Sequence, residues 1–341
     1  MKAVAGTANE GKGMMSLLSI RKFLTAMVAA ALLTALPARA DDYPSRPITI
    51  IVPFPPGGSS DIVMRLVSQK VSESIKQPII IENRAGGAGN VAAVAIKNAQ
   101  PDGYLLMMGH TGTHAVNPTL YADLKFDPVK DFQPITALIS FNNILVVPAE
   151  SPAQSVKDVV ALAKSKPDGL SYGSQGVGTG GHLLGVLLAK QADIKLLHVP
   201  YRGIAPAVTD AVAGRVDMLF SSYLSAAGHI EAGKLRMLAI AGNQRHPRIP
   251  NVPTMPEAGY SEAQMEQWFG LFGPAGLPAP IVQKLNAEFV KALRSEDVQA
   301  KVLPQVAFVI PSTPEELAAM VKRDMVRLGQ VVKESGAKPP D

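Results

Sequence analysis

The chain has no cysteine among its 341 residues. Disulfides, thiolate metal sites and cysteine nucleophiles are therefore excluded. Aromatic residues are scarce at 5%, with a single tryptophan, Trp268. There is no run of apolar residues long enough for an ordinary membrane-spanning helix. The longest, Phe23 to Leu36, follows Arg21 and Lys22 and meets Pro37-Ala38-Arg39-Ala40-Asp41. A basic segment, a short apolar segment and an A-x-A site make a secretory leader, with cleavage expected after Ala40. Residues 1–40 are thus set aside as a signal peptide, and Met14 or Met15 is an alternative start. An exported compartment permits disulfides but does not demand them in a chain that buries its own core.

A large excess of one charge is also missing once the leader is removed. The whole chain carries +5. The leader holds five basic residues and one acidic residue, which leaves 28 basic and 27 acidic residues, or +1. The basic balance belongs mostly to the discarded segment and gives no reason to expect nucleic acid or an anionic membrane as partner.

What is present is apolar content of 47%, ample for buried cores, and a length that suggests about two domains. The stretch that organises the rest is Pro53-Phe54-Pro55-Pro56-Gly57-Gly58-Ser59-Ser60-Asp61. An apolar strand pattern, Ile48 to Val52, precedes it. A helical pattern with Ile62, Leu66 and Val67 on one face follows. The prolines stiffen the loop, and Gly57-Gly58 allows close backbone approach to a ligand. Ser59 or Ser60 suits an N-cap, and Asp61 the first turn. Free N–H groups at such a helix start favour an anion, so the loop reads as a carboxylate cradle or as a capped turn with no ligand.

Similar units recur. A strand from Pro78 to Ile81 enters the Gly-rich turn Glu82 to Asn90. Another, Tyr104 to Met108, ends at Gly109-His110-Thr111-Gly112-Thr113-His114. Phe141 to Val147 reads as one apolar run. Leu170 to Gly173 leads into Ser174-Gln175-Gly176-Val177-Gly178-Thr179-Gly180-Gly181-His182 and a further helix. Leu196 to Val199 runs into Pro200-Tyr201-Arg202-Gly203. Val216 to Phe220 meets Ser221-Ser222-Tyr223. Leu235 to Ala241 and Gln267 to Phe272 are further strands. Alternation of strand and helix is a parallel α/β pattern, in which ligands gather at strand C-terminal ends. The last helix starts at Thr313, with Glu316 completing a capping box.

Several motifs do not hold up. Gly176-x-Gly178-x-x-Gly181 has the letters of a dinucleotide fingerprint, but no acidic residue stands about twenty positions on. Gly228 to Leu235 resembles a phosphate loop but has Leu235 where Ser or Thr is required. His110 and His114 have the spacing of two metal ligands on one helix, yet Thr-Gly-Thr intervenes and no third ligand is near. Ser59, Ser174 and Thr179 sit at helix starts and His182 is close in sequence, which keeps a secreted hydrolase as the alternative. No G-x-S-x-G elbow supports it.

The loop Pro53 to Asp61 resembles the first-loop signature of the Bug family, the periplasmic substrate-binding proteins of tripartite tricarboxylate transporters. Further blocks agree in order: Glu82 to Gly89, Pro101 to Tyr104, Gly178 to Leu183, Val199 to Gly203, Pro253 to Gly259 and Trp268 to Phe272. The resemblance spans essentially the whole mature chain. It implies an α/β, two-domain type II periplasmic binding-protein fold, each domain a mainly parallel sheet flanked by helices. Domain I would comprise 43–143 and 268–341, and domain II 144–267 with the crossing strands at its borders. It also implies a small carboxylate bound in the cleft by Phe54, Gly57, Gly58, Ser59, Asp61, Thr111, Ser174, Thr179, Gly180, His182, Tyr201 and Ser222. No catalysis, metal or cofactor is implied. The expected partners are membrane permease subunits or a sensor kinase, and the expected state is a periplasmic monomer. Two places depart from the family pattern. Pro304-Gln305-Val306-Ala307 replaces a Gly-containing turn. Ser221-Ser222 stands where relatives carry an acidic or amide residue, which makes ligands with a distal ammonium group less suitable.

Overall fold

The computed structural model describes residues 43–335 and 337–339. The leader and its cleavage site lie outside the described residues. Two sheets form the frame. The first takes β1 (Ile48–Val52), β2 (Ile79–Asn83), β3 (Leu105–His110), β4 (Phe132–Asn142), β10 (Glu266–Pro274) and β11 (Ala307–Val309). Their order is β11-β4-β10-β3-β1-β2. The second takes β5 (Ile144–Pro148), β6 (Leu170–Ser174), β7 (Leu196–Pro200), β8 (Met218–Ser221) and β9 (Leu235–Ile240), in the order β7-β6-β8-β5-β9. Each sheet is flanked by helices, giving two α/β domains. Parallel strands covered on both faces read as continuous apolar runs. Accordingly Ile48, Ile50, Ile51 and Val52 of β1 are all fully buried, between parallel β2 and parallel β3.

Both sheets are mixed, with most strands running one way. In the first, β10 runs antiparallel to β3 and β4, and β11 antiparallel to β4. In the second, β5 runs antiparallel to β8 and β9. The reason is the connectivity. A strand that arrives from the other domain has no crossover helix to bring it in parallel.

The run read as one strand from Phe141 to Val147 is two strands broken at Asn143. The first, β4, carries Gln133, Pro134, Thr136 and Ser140, which hid its strand character. Pro134 falls beside an irregularity in register, between Leu271 and Phe272 of β10, where a proline is tolerated. The second crossing runs through residues 241–265. The two crossings are tied side by side, because Ala241 N–H donates to Asn143 O at 2.7 Å and Met265 N–H to Ala241 O at 3.0 Å.

Helix α1 (Ser59–Ile75) follows β1, and α2 (Asn90–Lys97) follows β2. A π-helical turn, Gly112–Val116, and the short α3 (Asn117–Leu120) follow β3. The second domain contributes α4 (Val156–Ser165), α5 (Gly180–Ala192), α6 (Ile204–Val212) and α7 (Tyr223–Glu231). The chain closes with α8 (Ala279–Leu293), α9 (Glu296–Val302) and α10 (Pro314–Ser335). The capping box at α10 forms: Thr313 N–H donates to Glu316 Oε2 at 2.8 Å, and Glu316 N–H to Thr313 Oγ1 at 3.1 Å. In the turn Pro304-Gln305-Val306-Ala307, Val306 sits at φ 57°. A β-branched residue there costs about 1–2 kcal/mol. Its side chain is buried in the second domain's core, which offsets that strain.

Candidate functional site

The loops after β1, β6, β7 and β8, with the end of β3, meet in one small cavity of about 30 Å³. From the first domain come Phe54, Pro55, Gly58, Ser59 and Ser60 of the β1–α1 loop, with His110 at the end of β3. From the second come Gln175, Gly180, Ile204 and Ser222. The crossing segments supply the floor with Phe141, Asn143, Gln267, Trp268 and Phe269. None of these lining residues is Asp, Glu, Lys or Arg.

The first loop is held from behind. Gly57 adopts φ 84°, which favours glycine, and its N–H donates to Asp61 Oδ2 at 3.1 Å. Asp61 Oδ1 accepts from Arg65 Nε at 3.0 Å and from Asn83 Nδ2 at 3.0 Å. Asn83 Nδ2 also donates to the Phe54 carbonyl at 2.9 Å. Burial pushes the Asp61 carboxyl up, but bonds from Arg65, Gly57 and Asn83 together hold it below its ordinary value. Asp61 is thus an ionised strut, with its charge answered by Arg65. Helix α1 is capped by the Gly58 backbone, with no side-chain cap from Ser59 or Ser60. The N–H groups of Gly58, Ser60 and Asp61 find no protein acceptor among the described residues. Ser59 N–H donates across the cleft to Ser225 Oγ at 3.0 Å.

The second loop mirrors the first. Ser174 Oγ donates to Gly176 O at 3.1 Å, and Thr179 Oγ1 to the same oxygen at 2.6 Å. His182 Nδ1 accepts from Gly178 N–H at 3.2 Å. These bonds fold the loop over the start of α5, where the N–H groups of Gly180, Gly181 and His182 have no protein acceptor among the described residues. Of the residues with open N–H groups, Gly58 and Ser60 at the start of α1 and Gly180 at the start of α5 line one space, each end aided by its helix dipole. The lobes touch around it. A Cβ on Gly203 would lie 2.6 Å from Pro55 Cδ, and one on Gly58 would lie 3.4 Å from Ile204 Cγ2.

Of the twelve residues expected at the site, Phe54, Gly58, Ser59, Gly180 and Ser222 line the cavity. Gly57, Asp61, Ser174, Thr179 and His182 stand behind it and shape the two loops. Thr111 accepts from Trp268 N–H at 2.8 Å and fixes that residue's backbone. Tyr201 is turned to Asp210, bonding at 2.8 Å. Sequence reasoning missed the floor. Asn143 and Gln267 lay inside runs read as apolar strands, and Gln175 was passed over between the glycines. Asn143 and Gln267 are 0% and 5% exposed. Among the described residues, both Asn143 amide atoms, Gln267 Nε2 and Gln175 Oε1 have no hydrogen-bond partner. Trp268 Nε1 donates to buried Asp324 at 2.8 Å, which holds the indole at the floor.

Four histidines surround the site and all are neutral at pH 7. Burial pulls His110 down to about 4, opposed in part by the Ala88 carbonyl. Burial, then His110, takes His114 to about 3. Burial takes His182 to about 4, and burial with His182 takes His198 to about 3. His114 shares a hydrogen bond with Thr113 Oγ1 at 2.8 Å and stacks on Phe272 at 4.0 Å. Among the described residues no three His, Asp or Glu are grouped to hold a metal. Ser174 meets His198 at 2.7 Å, but it is fully buried and lies outside the cavity. The cavity hydroxyls of Ser59 and Ser222 have no imidazole partner: Ser222 Oγ donates to Ser225 Oγ at 3.0 Å.

Residues 63–337 match the family described as "Tripartite tricarboxylate transporter family receptor". The chain belongs to this family. The receptor is accordingly a solute-binding protein and not an enzyme. It is 39% identical over 318 residues to the "UPF0065 protein in tcbD-tcbE intergenic region" of Pseudomonas sp. strain P51, covering 92% of this chain and 94% of that one. It is similar to the solved structure of R. palustris Rpa4515 with adipate, at 32% identity and a TM-score of 0.85, covering 88% of this chain and 100% of the other. It is likewise similar to MatC (Rpa3494) from Rhodopseudomonas palustris with bound malate, at 34% identity and a TM-score of 0.81, with 85% and 100% covered.

Proposed function

We propose that this receptor takes a small carboxylate into the cleft between its two domains and delivers it, outside the cytoplasm, to the membrane permease of a tripartite tricarboxylate transporter. The observation that carries the reading is the pair of helix starts, α1 from one domain and α5 from the other, opening on one cavity with N–H groups that lack acceptors. A carboxylate between them gains charge-assisted hydrogen bonds from both sides and so favours closure. A nest of backbone amides holds an anion without a side-chain cation, which suits a cavity lined by no Lys or Arg. The carboxylates adipate and malate seen with relatives agree with this.

The finer parts of the proposal follow from the same frame. The chain is exported, cleaved after Ala40 and acts as a monomer. Its domains divide into 43–143 with 268–341, and 144–267, hinged at Asn143 and at the return to β10. A membrane sensor kinase is the other recipient that a closed form would serve. Thermal-shift measurement of the protein beginning at Asp41, across short carboxylates, tests the reading. At least one should raise the unfolding midpoint in a concentration-dependent way. A folded protein whose midpoint no carboxylate moves would contradict it.

A further inference from the structure

The floor of the cavity carries information that the helix starts do not. Those starts can hold one carboxylate, which leaves the far end of a ligand to the remaining walls. These are the apolar Phe54, Phe141, Ile204 and Phe269 with Pro55 and Trp268, the Ser222 hydroxyl, which is already bonded to Ser225, and the amides of Asn143, Gln175 and Gln267. No ionised side chain is among them. The His110 imidazole also lines the space and is neutral, so it adds no charge.

The three amides have unmet hydrogen-bonding capacity. Asn143 Oδ1 and Nδ2, Gln175 Oε1 and Gln267 Nε2 are buried without partners among the described residues. Together they present two acceptor oxygens and two donor NH2 groups. Buried polar groups are destabilising until something bonds them. A second carboxylate placed here would lose its water and meet only neutral amide donors, without the helix dipoles that favour the first. An ammonium would meet no carboxylate. A hydroxyl or carbonyl group meets what it needs and carries no charge to desolvate. Gln267 lies directly over the start of α5, since a Cβ on Gly180 would stand 2.5 Å from its Nε2. The amide floor therefore abuts the carboxylate end, and the ligand it measures is short.

We propose that this receptor selects a short monocarboxylate whose other end is an uncharged hydrogen-bonding group, a hydroxyl or carbonyl, read by Asn143, Gln175 and Gln267. The proposal rests on the carboxylate reading above and narrows it. It sets this chain apart from relatives seen with adipate or malate, both dicarboxylates.

Calorimetry on the protein beginning at Asp41 tests it with three series of four to six carbons: ω-hydroxy acids, dicarboxylates and unsubstituted acids. The best hydroxy acid should bind at least about tenfold tighter than the dicarboxylate and the plain acid of its length. Gln267→Leu should reduce the preference for hydroxy acid over plain acid to under about twofold. Gln175→Leu, at a half-buried position, should reduce it while the fold is kept. A dicarboxylate that binds as tightly as the hydroxy acid overturns the inference and leaves the carboxylate reading intact. So does a preference that survives both substitutions, because the amides would then serve only water. Failure of all three series to bind a folded protein removes the carboxylate reading, and this inference with it.

Discussion

Substituting Gly180 by alanine places a methyl where none fits. The new Cβ would lie 2.3 Å from Gln267 Oε1 and 2.5 Å from Gln267 Nε2. Gln267 is 5% exposed and hemmed in on β10, so its amide must swing or α5 must shift. Overpacking of this kind costs about 1–3 kcal/mol of stability. Displacing the amide also removes about one neutral hydrogen bond to the ligand, worth about 0.5–1.5 kcal/mol. The dissociation constant should therefore rise by about two- to twelvefold. Trp268 supplies the assay. It is the sole tryptophan and lines the same floor, so its fluorescence reports occupancy directly. Gly228→Ala is the matched control, because nothing lies within 4 Å of its Cβ position in α7. It should gain about 0.5–1 kcal/mol from reduced backbone entropy and bind as before. Wild-type affinity and midpoint in Gly180→Ala would refute the packing argument.

Three further expectations follow from the same contacts. Ser225→Ala removes the acceptor of Ser59 N–H across the cleft, a loss of about 0.5–1.5 kcal/mol of closure, and small-angle scattering of ligand-free protein should show a larger radius; an unchanged radius counts against the latch. Thr111→Val leaves Trp268 N–H without its buried acceptor and should cost about 1–3 kcal/mol in denaturant unfolding; loss of ligand with full stability would make Thr111 a ligand contact instead. Acid should destabilise the fold through His110, His114, His182 and His198, whose folded values of about 3 to 4 lie below the ordinary 6.5. Their stabilising contribution is present above pH 6.5 and is lost as pH falls toward 4, at up to about 1.4 kcal/mol per pH unit for each. A midpoint flat from pH 7 to 4.5 would contradict their burial in neutral form.

The parts of this fold that were legible in sequence are those fixed locally. Parallel strands such as β1 announce themselves by Ile and Val at four of five positions, and helix starts by glycine, hydroxyl and capping-box chemistry. What was not legible depends on long-range pairing. Strand β4 carries four polar residues and a proline among its eleven and becomes a strand only between β10 and β11. The break at Asn143 is invisible inside an apolar run, yet it marks a domain crossing. The two cradle loops were read correctly as loops, but their hydroxyls were assigned to the ligand when several bond their own backbone. Ser174 and Thr179 do so at Gly176, and nothing in their spacing distinguishes a loop-closing hydroxyl from a ligand-binding one. The amide floor was missed because glutamine and asparagine in strands carry no motif; only burial without partners reveals them.

The central claim is that the helix starts of the two domains converge on one carboxylate. Gly58→Val tests it most directly. Gly58 has ordinary backbone angles for a side chain, φ −81° and ψ 167°, so the fold should survive. Its Cβ would already touch Ile204 of the other domain at 3.4 Å, and the two valine methyls would fill the space above the open N–H groups. Titration calorimetry with the carboxylate that the wild-type protein binds best should show no measurable heat of binding, with a near-normal unfolding midpoint. Unchanged affinity in a folded Gly58→Val protein would mean that this loop only caps a helix and that the ligand sits elsewhere.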